Sequence, residues 1–131
     1  MLGLDTNVLV RYVMQDDPKQ SAKAARLIES LSPEAPGFVP RVALIEFVWV
    51  LTSCYDLSRE QVGQALDALL RAKEVVLEQA EQVAQALRNF RSGPADFADC
   101  LIERSSAAAG CELTMTFDAA AVKTAGMTLI A

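Results

Sequence analysis

Asp5, Glu46, Asp99 and Asp118 are the residues of this chain whose type and setting could do chemistry, because each stands in an apolar stretch. Asp5 follows Met1-Leu2-Gly3-Leu4, and Glu46 is the only charge between Val42 and Leu51. Asp99 sits between Phe97-Ala98 and Cys100-Leu101-Ile102, and Asp118 follows Leu113-Thr114-Met115-Thr116-Phe117. A carboxylate left unpaired in such surroundings costs several kcal/mol or takes up a proton. Four of them in one small chain call for a shared partner, and a hard divalent cation is the natural one for oxygen donors. The chain contains no histidine. That excludes a Ser-His-Asp or Cys-His nucleophile, imidazole acid–base catalysis and any His-ligated metal. Carboxylates, hydroxyls, amines or a metal are what remains.

The elements that must position these acids can be read from local pattern. Met1–Leu4 reads as a short buried strand, followed by a helix over about Asn7–Val13. Asp17-Pro18 is a helix start, an N-cap followed by proline at the first helical position. In the helix after it Ala24, Ile28 and Leu31 share one face, and Lys19, Lys23 and Arg26 share the other. Phe38-Val39 is a minimal strand, and Arg41–Ser53 is a helix apolar almost all round, which predicts deep burial, with Phe47 and Trp49 in core or dimer packing. Ser58 and Gln61 form a capping box for the next helix, whose Val62, Ala65, Leu66 and Leu69 face inward. Val75–Leu77 reads as a strand and Gln79–Phe90 as an amphipathic helix. After the Gly93-Pro94 break come a helix from Asp96 to Ala109, a strand over Leu113–Phe117, a short helix over Ala119–Ala125 and a small strand over Met127–Ile130. Strands alternating with amphipathic helices predict an α/β domain with a mostly parallel central sheet of four to five strands flanked by helices. Such sheets bind ligands beyond the carboxyl ends of their strands, where Asp5 and Asp118 fall. Asp96, Asp99 and Glu103 share one helical face.

The 131 residues suggest a single domain over 1–131 with a real core. A hydrophobic fraction of 52% with 22% charged residues argues against disorder. The apolar run Val42–Leu51 is broken by Glu46 and falls short of the ~20 residues a bilayer requires. No secretion signal opens the chain, and Cys54, Cys100 and Cys111 are odd in number and scattered. They read as reduced thiols filling a core, so a cytoplasmic protein without a membrane segment is expected. The net charge of −5 opposes nucleic-acid binding on a global reading. Much of that excess would be clustered acids, and bound divalent ions would cancel most of it.

Taken in order, these segments resemble the PIN domain, the fold of VapC-type toxins from bacterial toxin–antitoxin pairs. Leu4-Asp5-Thr6-Asn7-Val8-Leu9-Val10-Arg11-Tyr12 resembles that family's first motif, and Leu44-Ile45-Glu46-Phe47 its second acidic position. Asp96-Phe97-Ala98-Asp99-Cys100-Leu101-Ile102 resembles its third, and Thr116-Phe117-Asp118 its fourth. The resemblance covers essentially the whole chain. It implies a PIN-like three-layer sandwich and an Mg²⁺- or Mn²⁺-dependent endoribonuclease in which Asp5, Glu46, Asp99 and Asp118 are the catalytic, metal-binding acids. Asp96, Thr116 and Asn7 would support them. It further implies an RNA substrate, a homodimer and a cognate antitoxin that lays a peptide over the acidic pocket.

Each residue also has a plainer reading. Asp5, Asp96 and Asp118 could cap the helices that follow them, and capping is the favoured role for Asp96. Glu46 could pair with Arg41 or Arg11. Arg11, Lys19, Lys23 and Arg26 could contact RNA phosphates, against a solvated helix face for the three on the second helix. At the level of function, the alternatives are a non-catalytic module whose acidic pocket binds a basic peptide, and an Mg-dependent phosphatase-like α/β hydrolase. The latter wants a second aspartate two positions after the first, where this chain has Asn7.

Overall fold

Helix starts in this chain are written locally. Asp17 accepts hydrogen bonds from Lys19 N and Gln20 N, at 3.1 and 3.0 Å, ahead of Pro18. Ser58 and Gln61 complete a reciprocal capping box. The computed structural model describes residues 1–131, and these fall into two compact units, Met1–Ala80 and Glu81–Ala131.

The first unit runs β1 (Leu2–Gly3), α1 (Thr6–Met14), α2 (Pro18–Glu29), β2 (Gly37–Val39), α3 (Arg41–Ser53), α4 (Arg59–Arg71) and β3 (Val75–Leu77). Its three strands form a parallel sheet in the order β1-β2-β3, with Leu2 opposite Gly37 and Phe38 opposite Val76. Parallel neighbours need crossover connections, which the helices supply. α1 packs on α2 and α3, and α4 packs on β3. The core is built from Leu9, Val39, Leu44, Phe47, Leu51, Val62 and Leu66. Gly37 sits where β2 meets Leu4 and Leu31: a Cβ there would lie 2.7 Å from Leu4 Cδ1 and 2.9 Å from Leu31 Cδ1.

The second unit holds nearly all of α5 (Ala80–Ser92), then α6 (Phe97–Ala108), β4 (Met115–Thr116), α7 (Ala119–Ala125) and β5 (Thr128–Leu129). β4 and β5 form a second parallel ladder, Met115 opposite Thr128 and Thr116 opposite Leu129. Phe90 and Phe97 meet edge to face with centroids 5.9 Å apart. α7 packs on α6 and on both strands, and Gly126 closes it in the left-handed region, at φ 75°. The chain is therefore α/β, with small parallel sheets flanked by helices, and its five strands are divided between two ladders.

Three expectations about burial need correction. β1 is exposed, and only Leu4 after it is buried. α3 has the predicted bounds but is covered on one side only: Ala43, Leu44, Phe47 and Leu51 are buried, whereas Val42 is 77% and Trp49 61% exposed. An apolar helix surface does not say which of its faces a neighbour will cover. Of the three free thiols only Cys100 fills core; Cys54 and Cys111 are exposed because each lies just past a helix end. No helix is long and apolar enough to cross a membrane.

Candidate functional site

The acids do not sit in apolar interiors, as their sequence neighbours suggested. Asp5, Glu46 and Asp118 are exposed and Asp99 is half-buried. A helix or a strand end can turn one polar side chain outward while its neighbours point in, as at Asp5 and Glu46, whereas Asp118 follows an apolar segment that is itself exposed, with Phe117 at 82%.

In the first unit, β1 delivers Asp5 to the start of α1. There it is the N-cap and accepts a hydrogen bond from Thr6 N at 2.8 Å. The cap engages one carboxylate oxygen, Oδ1, and leaves the other for a ligand. Thr6 Oγ1 donates to the Ala43 carbonyl at 3.4 Å, which ties the start of α1 to α3. Glu46 projects from α3 one turn beyond Val42, on the side opposite the buried Leu44 and Phe47. Asp5 and Glu46 line two hollows in common. One, of about 640 Å³, continues over Val42, Ile45 and Trp49. The other, of about 560 Å³, includes Asn7, Arg11 and Tyr55. The ion pairs considered for Glu46 are taken up elsewhere. Arg41 lies against Glu78, its backbone N–H donating to Oε1 at 2.8 Å and its guanidinium Nη2 3.8 Å from Oε2. Arg11 lies against Asp16 at 3.1 Å.

The Arg11 pairing belongs to a network that local pattern did not announce. Arg11 donates from Nε to Gln20 Oε1 at 2.7 Å and from Nη1 to the Tyr55 hydroxyl at 3.0 Å, and Tyr55 donates to Asp16 Oδ2 at 2.6 Å. The Tyr55 hydrogen bond, helped by the charge of Arg11, lowers the Asp16 pKa, while donating to that carboxylate raises the phenol's own. Arg11, Asn7 and Lys23 together line a third hollow of about 250 Å³. Lys19 and Arg26 are exposed on α2 and line none of these hollows.

In the second unit, Asp96 caps α6 by accepting from Ala98 N at 2.7 Å, and Asp118 caps α7 by accepting from Ala120 N at 2.8 Å. Thr116 Oγ1 accepts from Asp118 N at 3.0 Å and so fixes the approach to that cap. Asp99 stands in the first turn of α6. Partial burial raises its pKa, and the charges of Asp96 and Asp118 raise it further. Glu103 is spent on Arg104 through two hydrogen bonds, of 2.6 and 2.9 Å. The acids thus gather as two sets, Asp5 with Glu46 and Asn7, and Asp99 with Asp96, Asp118 and Thr116.

As donors, both sets suit a hard divalent cation: carboxylate and neutral oxygens, no thiolate or imidazole. The repulsion felt by Asp99 is of the kind a cation would relieve. Within neither unit do three Asp, Glu or Cys side chains stand close enough to share one ion. Charges couple over far longer distances than the ~2.1 Å of an Mg²⁺–oxygen bond, so the two observations are compatible.

The chain is 26% identical over 99 residues to a VapC ribonuclease of Aquifex aeolicus (strain VF5), a match covering 75% of this chain and 73% of that protein. The model of the PIN domain matches residues 3–127, a span that contains Asp5, Asn7, Glu46, Asp96, Asp99, Thr116 and Asp118. The chain belongs to the PIN-domain family.

Proposed function

We propose that the chain is a metal-dependent endoribonuclease, the toxin of a toxin–antitoxin pair, acting through Asp5, Glu46, Asp99 and Asp118 on Mg²⁺ or Mn²⁺. The observation that carries the reading is that Asp5 and Glu46, from the start of one helix and the middle of another, open onto the same two hollows. Support comes from the family match over 3–127 and from the likeness to a protein named as a VapC ribonuclease. The same match supports treating residues 1–131 as one catalytic domain.

In this reading the four acids hold the cation, and Asn7 and Thr116 orient it and its ligands. When bound, such a cation acidifies water and draws negative charge from a phosphoryl group. The capped acids act from fixed positions: Asp5 and Asp118 each spend one oxygen on a backbone N–H, so their free oxygens are held in place before substrate arrives. Partial burial and the charges of Asp96 and Asp118 raise the Asp99 pKa, and a bound cation would offset those charges. The reaction adds water across the bridging P–O3′ bond of RNA and leaves 5′-phosphate and 3′-hydroxyl ends. No covalent intermediate on the protein is required. The cognate antitoxin would be a peptide with a basic side chain for the acidic pocket, and the protein would act as a homodimer.

The test is partner-free protein with RNA and Mg²⁺ or Mn²⁺. Cleavage should appear, stop with EDTA, and fall by at least about 100-fold in Asp5→Asn, as for loss of an electrostatic catalytic group. Protein that cuts no RNA under either metal would instead be a binding module for a basic peptide. That second reading is favoured by one observation, the capping duty of Asp5, Asp96 and Asp118.

A further inference from the structure

The three hollows of the first unit share walls. Asp5, Thr6 and Glu46 belong to the first two, and Asn7 and Arg11 belong to the second and third. Linked by these shared residues, the hollows change in character from the first to the third. At one end is an apolar wall from α3, with Val42 and Trp49 exposed to solvent. In the middle are the carboxylates of Asp5 and Glu46. At the other end are Arg11 and Lys23.

An exposed tryptophan on a rigid helix costs hydrophobic stabilisation that burial would have supplied, and its flat indole face is a platform any nucleobase can stack on. Arg11 is held by Gln20, Asp16 and Tyr55 through Nε and Nη1, which leaves the Nη2 donors unengaged and pre-oriented. Lys23 is exposed beside it and adds charge without adding shape. Aromatic platform, hydrolytic carboxylates and cations in sequence are what a single strand needs on either side of a scissile phosphate.

We propose that, along these adjoining hollows, Trp49 stacks a base on one side of the cleaved phosphate while Arg11 and Lys23 hold backbone phosphates on the other, so that together they form the track for the RNA substrate. The proposal rests on the nuclease reading and deepens it: it makes Trp49 a substrate-positioning residue. A duplex would not present a free base face to the indole.

Trp49 is the only tryptophan in the chain, so its fluorescence reports on this site alone. The experiment titrates the full chain with a short single-stranded oligouridylate, with Ca²⁺ replacing Mg²⁺ to keep an oxygen-ligated cation present. Cleavage is assayed in parallel with Mg²⁺ and Mn²⁺. Saturable quenching by the single strand and none by duplex RNA is the expected result. Trp49→Ala should weaken binding about tenfold, with most of it recovered in Trp49→Phe. Lys23→Ala should lower the salt dependence by about one released counterion. Both positions are exposed, and unchanged circular dichroism and melting would certify the variants' folding. RNA cleaved by the wild type with Trp49 emission unmoved and Trp49→Ala affinity intact overturns the track and leaves the nuclease reading standing. An absence of both binding and cleavage overturns the nuclease reading and this proposal with it. Trp49 emission that shifts on dilution of the protein alone, as a dimer separates, assigns this face to a second copy and overturns the proposal.

Discussion

At the scale of the residue, the four acids share a charge but not an environment. Asp99 is the one whose ionisation the fold opposes. Partial burial, Asp96 and then Asp118 raise its pKa, so the folded protein binds that proton more tightly than the unfolded chain does. Stability is therefore lost as pH rises from the ordinary carboxylate range through the folded pKa of Asp99. Asp99→Asn removes the penalty. In metal-free buffer the variant should be as stable as the wild type or more so, by less than about 1 kcal/mol for a half-exposed charge. Its advantage should grow as the pH rises above the ordinary carboxylate range of about 4. Urea melts of the two proteins across that rise check the sign; a variant less stable at every pH would make Asp99 a structural residue. Glu46 is the only charge between Val42 and Leu51, in a helix whose apolar surface predicts burial. It is exposed, and its significance now lies in the hollows it shares with Asp5.

At the scale of the element, what could be read in advance was what depends on near neighbours. Asp17-Pro18 and the Ser58–Gln61 box mark their helices because the capping chemistry spans a single turn. The capping of α6 by Asp96 was legible for the same reason. The exposure of Trp49 and the Arg11–Asp16–Tyr55 network were not, because both depend on which distant segments meet, and Tyr55 reaches Asp16 across 39 positions. Gly37 carries a consequence of the same kind. Its neighbours across β1 and α2 are side-chain ends of Leu4 and Leu31 that can shift, though not freely, in a packed core. Gly37→Ala should cost about 1–3 kcal/mol through overpacking, without touching any acid. A lowered denaturation midpoint with unchanged slope is the expected signature. An unaffected midpoint would mean that the leucines repack at no cost.

At the scale of the whole molecule, charge and stability are linked. A chain of net charge −5 that gathers its acids in sets should be stabilised by whatever cation those sets prefer. Mg²⁺ or Mn²⁺ at about 100 times its dissociation constant should stabilise the fold by about 2.7 kcal/mol. The resulting rise in melting temperature should be reversed by EDTA and be much smaller in Asp99→Asn. A rise equal in that variant would place the cation away from Asp99. The α/β class was readable because short apolar strands alternate with amphipathic helices. The division of five strands into two ladders was not, because two-residue strands such as β1, β4 and β5 carry too little pattern to declare their partners.

The double duty of Asp5, Asp96 and Asp118, each a helix cap and a carboxylate, bears on how this gene can decay. Alanine at these positions would cost a helix start about 1 kcal/mol, whereas asparagine caps as well as aspartate does. Every aspartate codon becomes an asparagine codon by one G-to-A transition. Loss of charge with retention of fold is therefore one base change away at each cap, while the same transition in a glutamate codon turns Glu46 into lysine. Under the proposed role of these acids, silenced but folded copies should accumulate through the capping aspartates.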